Sequence, residues 1–243
     1  MKKILLYHIY SVNNWREITD FLFQKLPFDA IVVHVSLPTD GSVTESEIES
    51  YFAKYPITRF LYSQNSGLGE VDGLYRFVET QDLTGYDILT YMHCKGVTKP
   101  GHEHIFNWTK LMRYFVIEKM DVCEKAFKKG YATFGANKGI PDHNMKHHFV
   151  GSNFIYEGNF ASINLHKITL TKAVLDKYLD RSYYGVEALW GKLCRYEEGY
   201  TVFNSGLNHY NASVPEKLYT TRLGRARYNL MTFYYRMRKK LLQ

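Results

Sequence analysis

His93 and Lys95 stand two residues apart where an apolar run, ILTYM over 88–92, gives way to the Pro- and Gly-punctuated GVTKPG. A lysine ammonium is a compact cation for phosphate, and an imidazole can donate to a phosphate oxygen or ligate a metal. Gly96 follows directly and allows a ligand close to the backbone. HCKG therefore points to a bound anion, although a solvated strand-to-loop turn accounts for the same four residues.

Other segments offer further groups. NSGLGEVDG, residues 65–73, is a glycine-bearing turn that carries Asn65, Gly69, Glu70 and Asp72 into a helix start. It lacks the GxGxxG spacing of a dinucleotide fingerprint, and no GxxxxGK[ST] occurs in the chain. A helix start there can still receive phosphate or ribose hydroxyls. YEGNF (156–160) and YYGVEALW (183–190) each set a carboxylate, Glu157 or Glu187, among aromatic rings. Such faces suit sugar rings, and a carboxylate beside one can act as a general base on an acceptor hydroxyl. A structural turn and a helix-surface carboxylate are the plain alternatives. His143, His147 and His148 lack an HxxxH helix or a carboxylate at ligand spacing, so no metal ligands are assigned.

The elements that must position these groups alternate. Strand patterns cover 3–10, AIVVHVSLP and TRFLYSQN, then YDILTYM and YATFGAN. Between them, Trp15, Ile18, Leu22 and Leu26 fall at helical spacing up to Pro27. Thr44 and Glu47 are spaced as a capping box, and VDGLYRFVET reads as a short helix. A long helix is expected over 106–129, with Leu111, Phe115, Met120, Cys123 and Phe127 inward and Gly130 ending it. Asp121 with Lys125 and Glu124 with Lys128 are spaced as pairs on its outer side. Beyond Ile140 the alternation weakens, with one or two strands, helices at 168–180 and 185–195, and a strand at YTVFN.

This order predicts an α/β fold, a mostly parallel sheet with helices on both faces and ligands beyond the strands' carboxyl ends. Those ends are His8–Tyr10, Gln64–Gly69 and His93–Gly96, which puts HCKG where a ligand is expected.

The 243 residues suit one domain plus a tail, with a catalytic domain over 1–217 (a nucleotide-binding half to 100, then an acceptor-side half) and a tail over 218–243. Three scattered cysteines suggest a reducing compartment, and MKKILLYHIY reads as a first strand rather than a leader. Seven of the 31 Lys and Arg lie beyond Thr221 with no acidic residue, so the remainder balances its 24 Asp and Glu. A basic nucleic-acid-binding face across the body is not supported. The tail's Arg222, Arg225, Arg227, Arg236, Arg238, Lys239 and Lys240 mix with Tyr234, Tyr235 and leucines, the composition of a basic amphipathic helix on a membrane surface. A docked terminal helix and a nucleic-acid arm share that composition.

Together LGE (Leu68–Glu70), HCKG (His93–Gly96), WTKLMRYF (Trp108–Phe115), HHFVGSNFIYEGNFA (His147–Ala161) and EALW (Glu187–Trp190) resemble the small bacterial and viral glycosyltransferases related to the rhamnan-synthesis type. The resemblance spans about residues 60 to 192. It departs from the family where HF (His148–Phe149) and GNF (Gly158–Phe160) are separated and ASI follows GNF.

The resemblance implies a single-domain glycosyltransferase A-like fold. It also implies transfer from a nucleotide-sugar donor to a polysaccharide or lipid-linked acceptor, on the inner face of the cell membrane. Tyr7, His8 and Tyr10 would line the nucleotide pocket, with Asn65, Gly69, Glu70 and Asp72 near ribose or base. His93, Lys95 and Gly96 would hold the diphosphate. His148, Gly158, Asn159 and Trp190 would face sugar or acceptor, and Glu187 would be the base of an inverting reaction. No D-x-D triplet is present, so fixed cations would neutralise the leaving group in place of Mn²⁺ or Mg²⁺, although a metal remains open. The alternatives are a non-catalytic glycan binder of the same fold and an RNA-binding protein acting through the tail.

Overall fold

A computed structural model describes residues 1–141 and 144–230. The order is β1 (Lys3–Tyr10), α1 (Trp15–Leu22), β2 (Ala30–Leu37), α2 (Glu45–Phe52), β3 (Arg59–Gln64), α3 (Gly69–Thr80), β4 (Ile88–His93), α4 (Glu103–Arg113), α5 (Met120–Lys128), β5 (Thr133–Gly135), β6 (Lys138–Gly139), β7 (Ile155–Tyr156), β8 (Ala161–Asn164), α6 (Lys172–Tyr178), α7 (Gly185–Lys192), β9 (Gly199–Thr201) and α8 (Glu216–Thr220). Seven strands form one sheet in the order β3-β2-β1-β4-β8-β5-β9, and β6 pairs with β7 separately. β1 to β4 are parallel, β8 runs antiparallel between β4 and β5, and β9 is parallel to β5. The result is a mixed α/β domain with a mostly parallel sheet between helices, as the alternation of elements predicts.

The alternation of side chains along β1 divides the core. Ile4 and Leu6 face α3, α6 and α7, whereas Leu5, Tyr7 and Ile9 face α1, α2 and α4. With both faces covered, β2 is buried along its whole length. α2 begins as its spacing predicts: Glu47 N–H donates to Thr44 Oγ1 at 3.3 Å and Thr44 N–H to Glu47 Oε2 at 2.8 Å.

The single helix expected over 106–129 is instead α4 and α5 joined by a π-helical stretch, Tyr114–Glu118. Four consecutive residues, Tyr114 to Ile117, are buried there, more than one side of a regular α-helix can turn inward. The register change lets α4 pack against α1 and β4 while α5 covers β5. The expected inward residues are all buried. Asp121 pairs with Lys125 at 3.0 Å, but Glu124 reaches Lys3 at 2.8 Å rather than Lys128.

Residues 222–230 are helical and dock through Tyr228, whose hydroxyl donates to Ser205 O at 2.7 Å. Leu223 and Leu230, two turns apart, stay exposed. Tyr234, Tyr235, Arg236, Arg238, Lys239, Lys240 and His143 lie outside the described residues. Among the described residues no helix is long and apolar enough to cross a membrane.

Candidate functional site

A cavity of about 160 Å³ opens at the carboxyl ends of β1 and β4 and the start of α3. Its lining includes the neutral groups of His8, Tyr10, Ser36 and Asn65, the cations of Lys95 and Lys99, and the exposed side chains of Tyr183 and Tyr210. A second cavity shares Lys95, Gly96 and Lys99.

Lys95 Nζ sits 4.1 Å from the centre of the Trp108 ring and Lys99 Nζ 4.8 Å from that of Tyr210. Burial lowers the Lys95 pKa, against the pull of Glu187 and Glu70. An ammonium held on an aromatic face and partly desolvated binds an incoming anion strongly. Gly96, at φ +90, also lines the cavity.

Beneath the cavity the five motif segments are joined to one another. His93 Nδ1 faces Glu70 Oε1 at 3.1 Å, and His93 Nε2 donates to Gly158 O at 3.1 Å. The other Glu70 oxygen accepts from the Tyr91 hydroxyl at 2.6 Å and from Asn159 Nδ2 at 2.7 Å. Trp190 Nε1 donates to Asn159 Oδ1 at 2.8 Å, and Gly158 N–H donates to Glu187 Oε1 at 3.1 Å. Gly158, at φ +88, lies so close to the α4 side chains that a Cβ would stand 2.4 Å from Met112 Sδ and 2.9 Å from the Trp108 ring. Only glycine fits that crossing.

Burial raises the Glu70 pKa, but the facing His93 ring and the Tyr91 hydroxyl outweigh it and bring the carboxyl down to about 2. For Glu187, burial prevails over Lys95 and the Gly158 amide, and its pKa rises. Burial and the charge of Glu187 push Glu157 up to about 7. Two carboxylates with raised pKa values thus flank the GNF turn, and neither is among the residues that line the cavity; the Glu187 carboxylate is held against the Gly158 amide beneath it.

Several expectations are corrected by these positions. Tyr7 does not line the cavity: one residue out of phase with His8, it points to the opposite sheet face and its hydroxyl bonds Thr19 Oγ1 at 2.9 Å. Asp72 turns away and accepts from Ser66 Oγ at 2.5 Å, 3.5 Å from Arg181. His148 packs on Tyr184, ring centres 4.7 Å apart, outside the cavity lining.

Glu70 and His93 do border the cavity, but the Glu70 oxygens and both His93 ring nitrogens are engaged within the protein. Gly158, Asn159 and Trp190 are buried, with their polar atoms bonded to their neighbours, so they position the site rather than touch a ligand. Tyr10, Asn65 and Gly69 line the cavity, as does His8. Sequence reasoning does not single out Lys99, Tyr183, Tyr210 or the buried His34; of these, Tyr183 lies in the aromatic segment YYGVEALW and His34 is the one basic residue of β2, and each leaves that much signal in the sequence.

His93 and Glu70 are each other's partners, and among the described residues no three His, Cys, Asp or Glu side chains group as ligands.

The fold and cavity define an α/β protein with its candidate site at the carboxyl edge of a mostly parallel sheet. No protein-family model and no curated protein matches the chain. Among solved structures it is similar to 4-diphosphocytidyl-2C-methyl-D-erythritol synthase from Anaerococcus prevotii, with TM-score 0.45 and 16% identity over 95% of this chain and 98% of that one. Another 4-diphosphocytidyl-2C-methyl-D-erythritol synthase gives TM-score 0.35 and 12% identity over 95% and 100%.

Proposed function

We propose that the chain is a glycosyltransferase of the rhamnan-synthesis type, moving a hexosyl or deoxyhexosyl group from a nucleoside-diphosphate sugar to a glycan or lipid-linked acceptor. One observation carries the reading: LGE, HCKG, the Trp108 helix, GNF and EALW, spread over more than a hundred residues, are bonded or packed together at and beneath one cavity that Lys95 and Lys99 line. Lys95 and Lys99 face the diphosphate and stabilise the charge it gains as the bond to the anomeric carbon breaks. The acceptor oxygen forms the new bond, and its proton passes to Glu187. His93 and Glu70 fix the cavity floor. Transfer is assigned no protein-held metal; a Mn²⁺ or Mg²⁺ brought in by the donor is the variant that an EDTA arm separates.

The basic tail is assigned to an anionic membrane face, which would keep the enzyme peripheral on the cytoplasmic side near lipid-linked acceptors. The exposed Leu223 and Leu230 beside Arg222 and Arg227 support this. A non-catalytic glycan binder is the second reading, favoured by the inward-turned GNF and EALW side chains.

Nucleoside diphosphate release from a panel of uridine-, guanosine- and thymidine-diphosphate sugars, with acceptor glycans, tests the reading. One donor should turn over, and Glu187→Gln should slow it on the order of 10²-fold or more. No release from any donor at high protein concentration contradicts it and leaves the binder.

A further inference from the structure

His8, His34 and Ser63 form a line across three parallel strands. His8 and His34 are register partners in β1 and β2. Their Nδ1 atoms stand 2.8 Å apart, and His34 Nε2 lies 3.1 Å from Ser63 Oγ on β3. The rings are near-parallel, at 18°. α3 presses directly on them: a Cβ on Gly73 would stand 2.5 Å from His34 Nδ1, so the helix approaches only because that residue is glycine. His34 is 0% exposed, whereas His8 borders the cavity beside Tyr10, Ser36 and Asn65.

Two Nδ1 atoms at hydrogen-bond distance share one proton, since one must donate and the other accept. In one arrangement His34 donates, its Nε2 accepts from the Ser63 hydroxyl, and His8 carries its proton on Nε2. In the other His8 donates, its Nε2 is bare, and His34 Nε2 donates to Ser63. Ser63 serves either, because a hydroxyl both donates and accepts. Burial holds both rings neutral: it lowers His8 to about 4, against Glu70 and Asp72 with His93 acting alongside, and lowers His34 well below its usual range with His8 and Arg76 adding to the effect.

We propose that His8, His34 and Ser63 are a proton-sharing relay that lets His8 Nε2 meet the cavity as donor or acceptor without gaining charge, and that this corner seats the edge of a nucleobase. The ligand class rests on the nucleoside-diphosphate reading above and gives it a direction, phosphates at Lys95 and Lys99 and base at His8. A sugar hydroxyl is itself reversible and gains nothing from a reversible partner; a base edge has fixed donors and acceptors. A phosphate needs a cation, which this corner withholds. His34 and Ser63 are positioning residues, because they act only through His8.

Nitrogen-15 NMR of the histidine rings in the full chain tests this, with His8→Gln and His34→Gln used only to assign signals. In the free protein near neutral pH, each ring should carry one proton, with a single proton shared between the two Nδ1 atoms. Uridine diphosphate and cytidine diphosphate should move the His8 and His34 signals while both rings stay singly protonated. Pyrophosphate and ribose 5-phosphate should leave them in place. A doubly protonated His8 or His34 in the free protein overturns the relay whatever binds. An equal response to ribose 5-phosphate overturns the nucleobase assignment. Diphosphate nucleotides that stabilise the protein through Lys95 without moving either ring overturn the proposal but keep the wider reading. If no nucleotide binds at all, both fail.

Discussion

Glu70 and Asn159, 89 residues apart in the chain, meet at 2.7 Å, and the same asparagine accepts from Trp190 at 2.8 Å. Asn159 holds this position at φ 61, in the left-handed region that few residues other than glycine and asparagine adopt at low cost. Its side-chain bonds offset the backbone cost and tie α3 to α7 through the GNF turn. The cavity floor is therefore set by contacts between motifs, with Lys95 left lining the cavity.

Asn159→Ala removes both bonds and leaves a strained backbone, so it should destabilise the fold by about 2–4 kcal/mol. Asn159→Gly loses the bonds but relieves the backbone and should cost less. Urea unfolding of the two variants measures the difference, and equal losses would contradict the assignment of strain.

Glu70 gives stability a pH dependence. Its carboxyl is held at about 2 in the folded protein against 4.5 ordinarily, so between those values the unfolded chain binds the extra proton. The stabilisation is complete above pH 4.5 and is lost as pH falls towards 2, amounting to about 3 kcal/mol at most. Glu70→Gln should flatten the acid side of the stability–pH curve; an unchanged slope would remove Glu70 from the account.

Glu157 behaves in the opposite sense. With its pKa raised to about 7, the folded state holds the proton more tightly, and that stabilisation is present at low pH and lost as pH rises from 4.5 to about 7. Carboxyl NMR titration should show Glu157 ionising near neutrality, and Glu187→Gln should lower its midpoint by removing the neighbouring charge. No movement in that variant would mean the two carboxylates do not sense one another.

Much of this was legible in residue order. β1 spans the predicted residues 3–10, and the strand ends His8–Tyr10, Gln64–Gly69 and His93–Gly96 all contribute to the cavity. Periodicity carries such features because each is local. What it does not carry is contact across the sheet. Tyr7 and His8 look alike in a list of strand-end residues, yet the pleat sends one to the core and the other to the cavity. The His8–His34 contact depends on parallel register between strands, which nothing near either residue specifies. Likewise Glu70, Asn159 and Trp190 read as ligand-facing residues until their partners are known, and the break at Tyr114–Glu118 accompanies the burial of four consecutive residues, Tyr114 to Ile117.

The tail makes a separate prediction. The chain should bind vesicles containing anionic lipid more tightly than neutral ones. Replacing Arg222, Arg225 and Arg227 by Ala should weaken binding by about 1 kcal/mol for each residue near the surface, less at high salt. Equal binding to neutral vesicles would contradict an electrostatic anchor.

The most direct test of the central claim is thermal unfolding of wild type and Lys95→Ala with a panel of nucleoside-diphosphate sugars, each with and without EDTA. One donor should raise the midpoint of the wild type, in EDTA as without it, and the rise should vanish in Lys95→Ala. A wild type that no donor stabilises, or a Lys95→Ala variant stabilised as fully as wild type, would contradict a diphosphate site at Lys95.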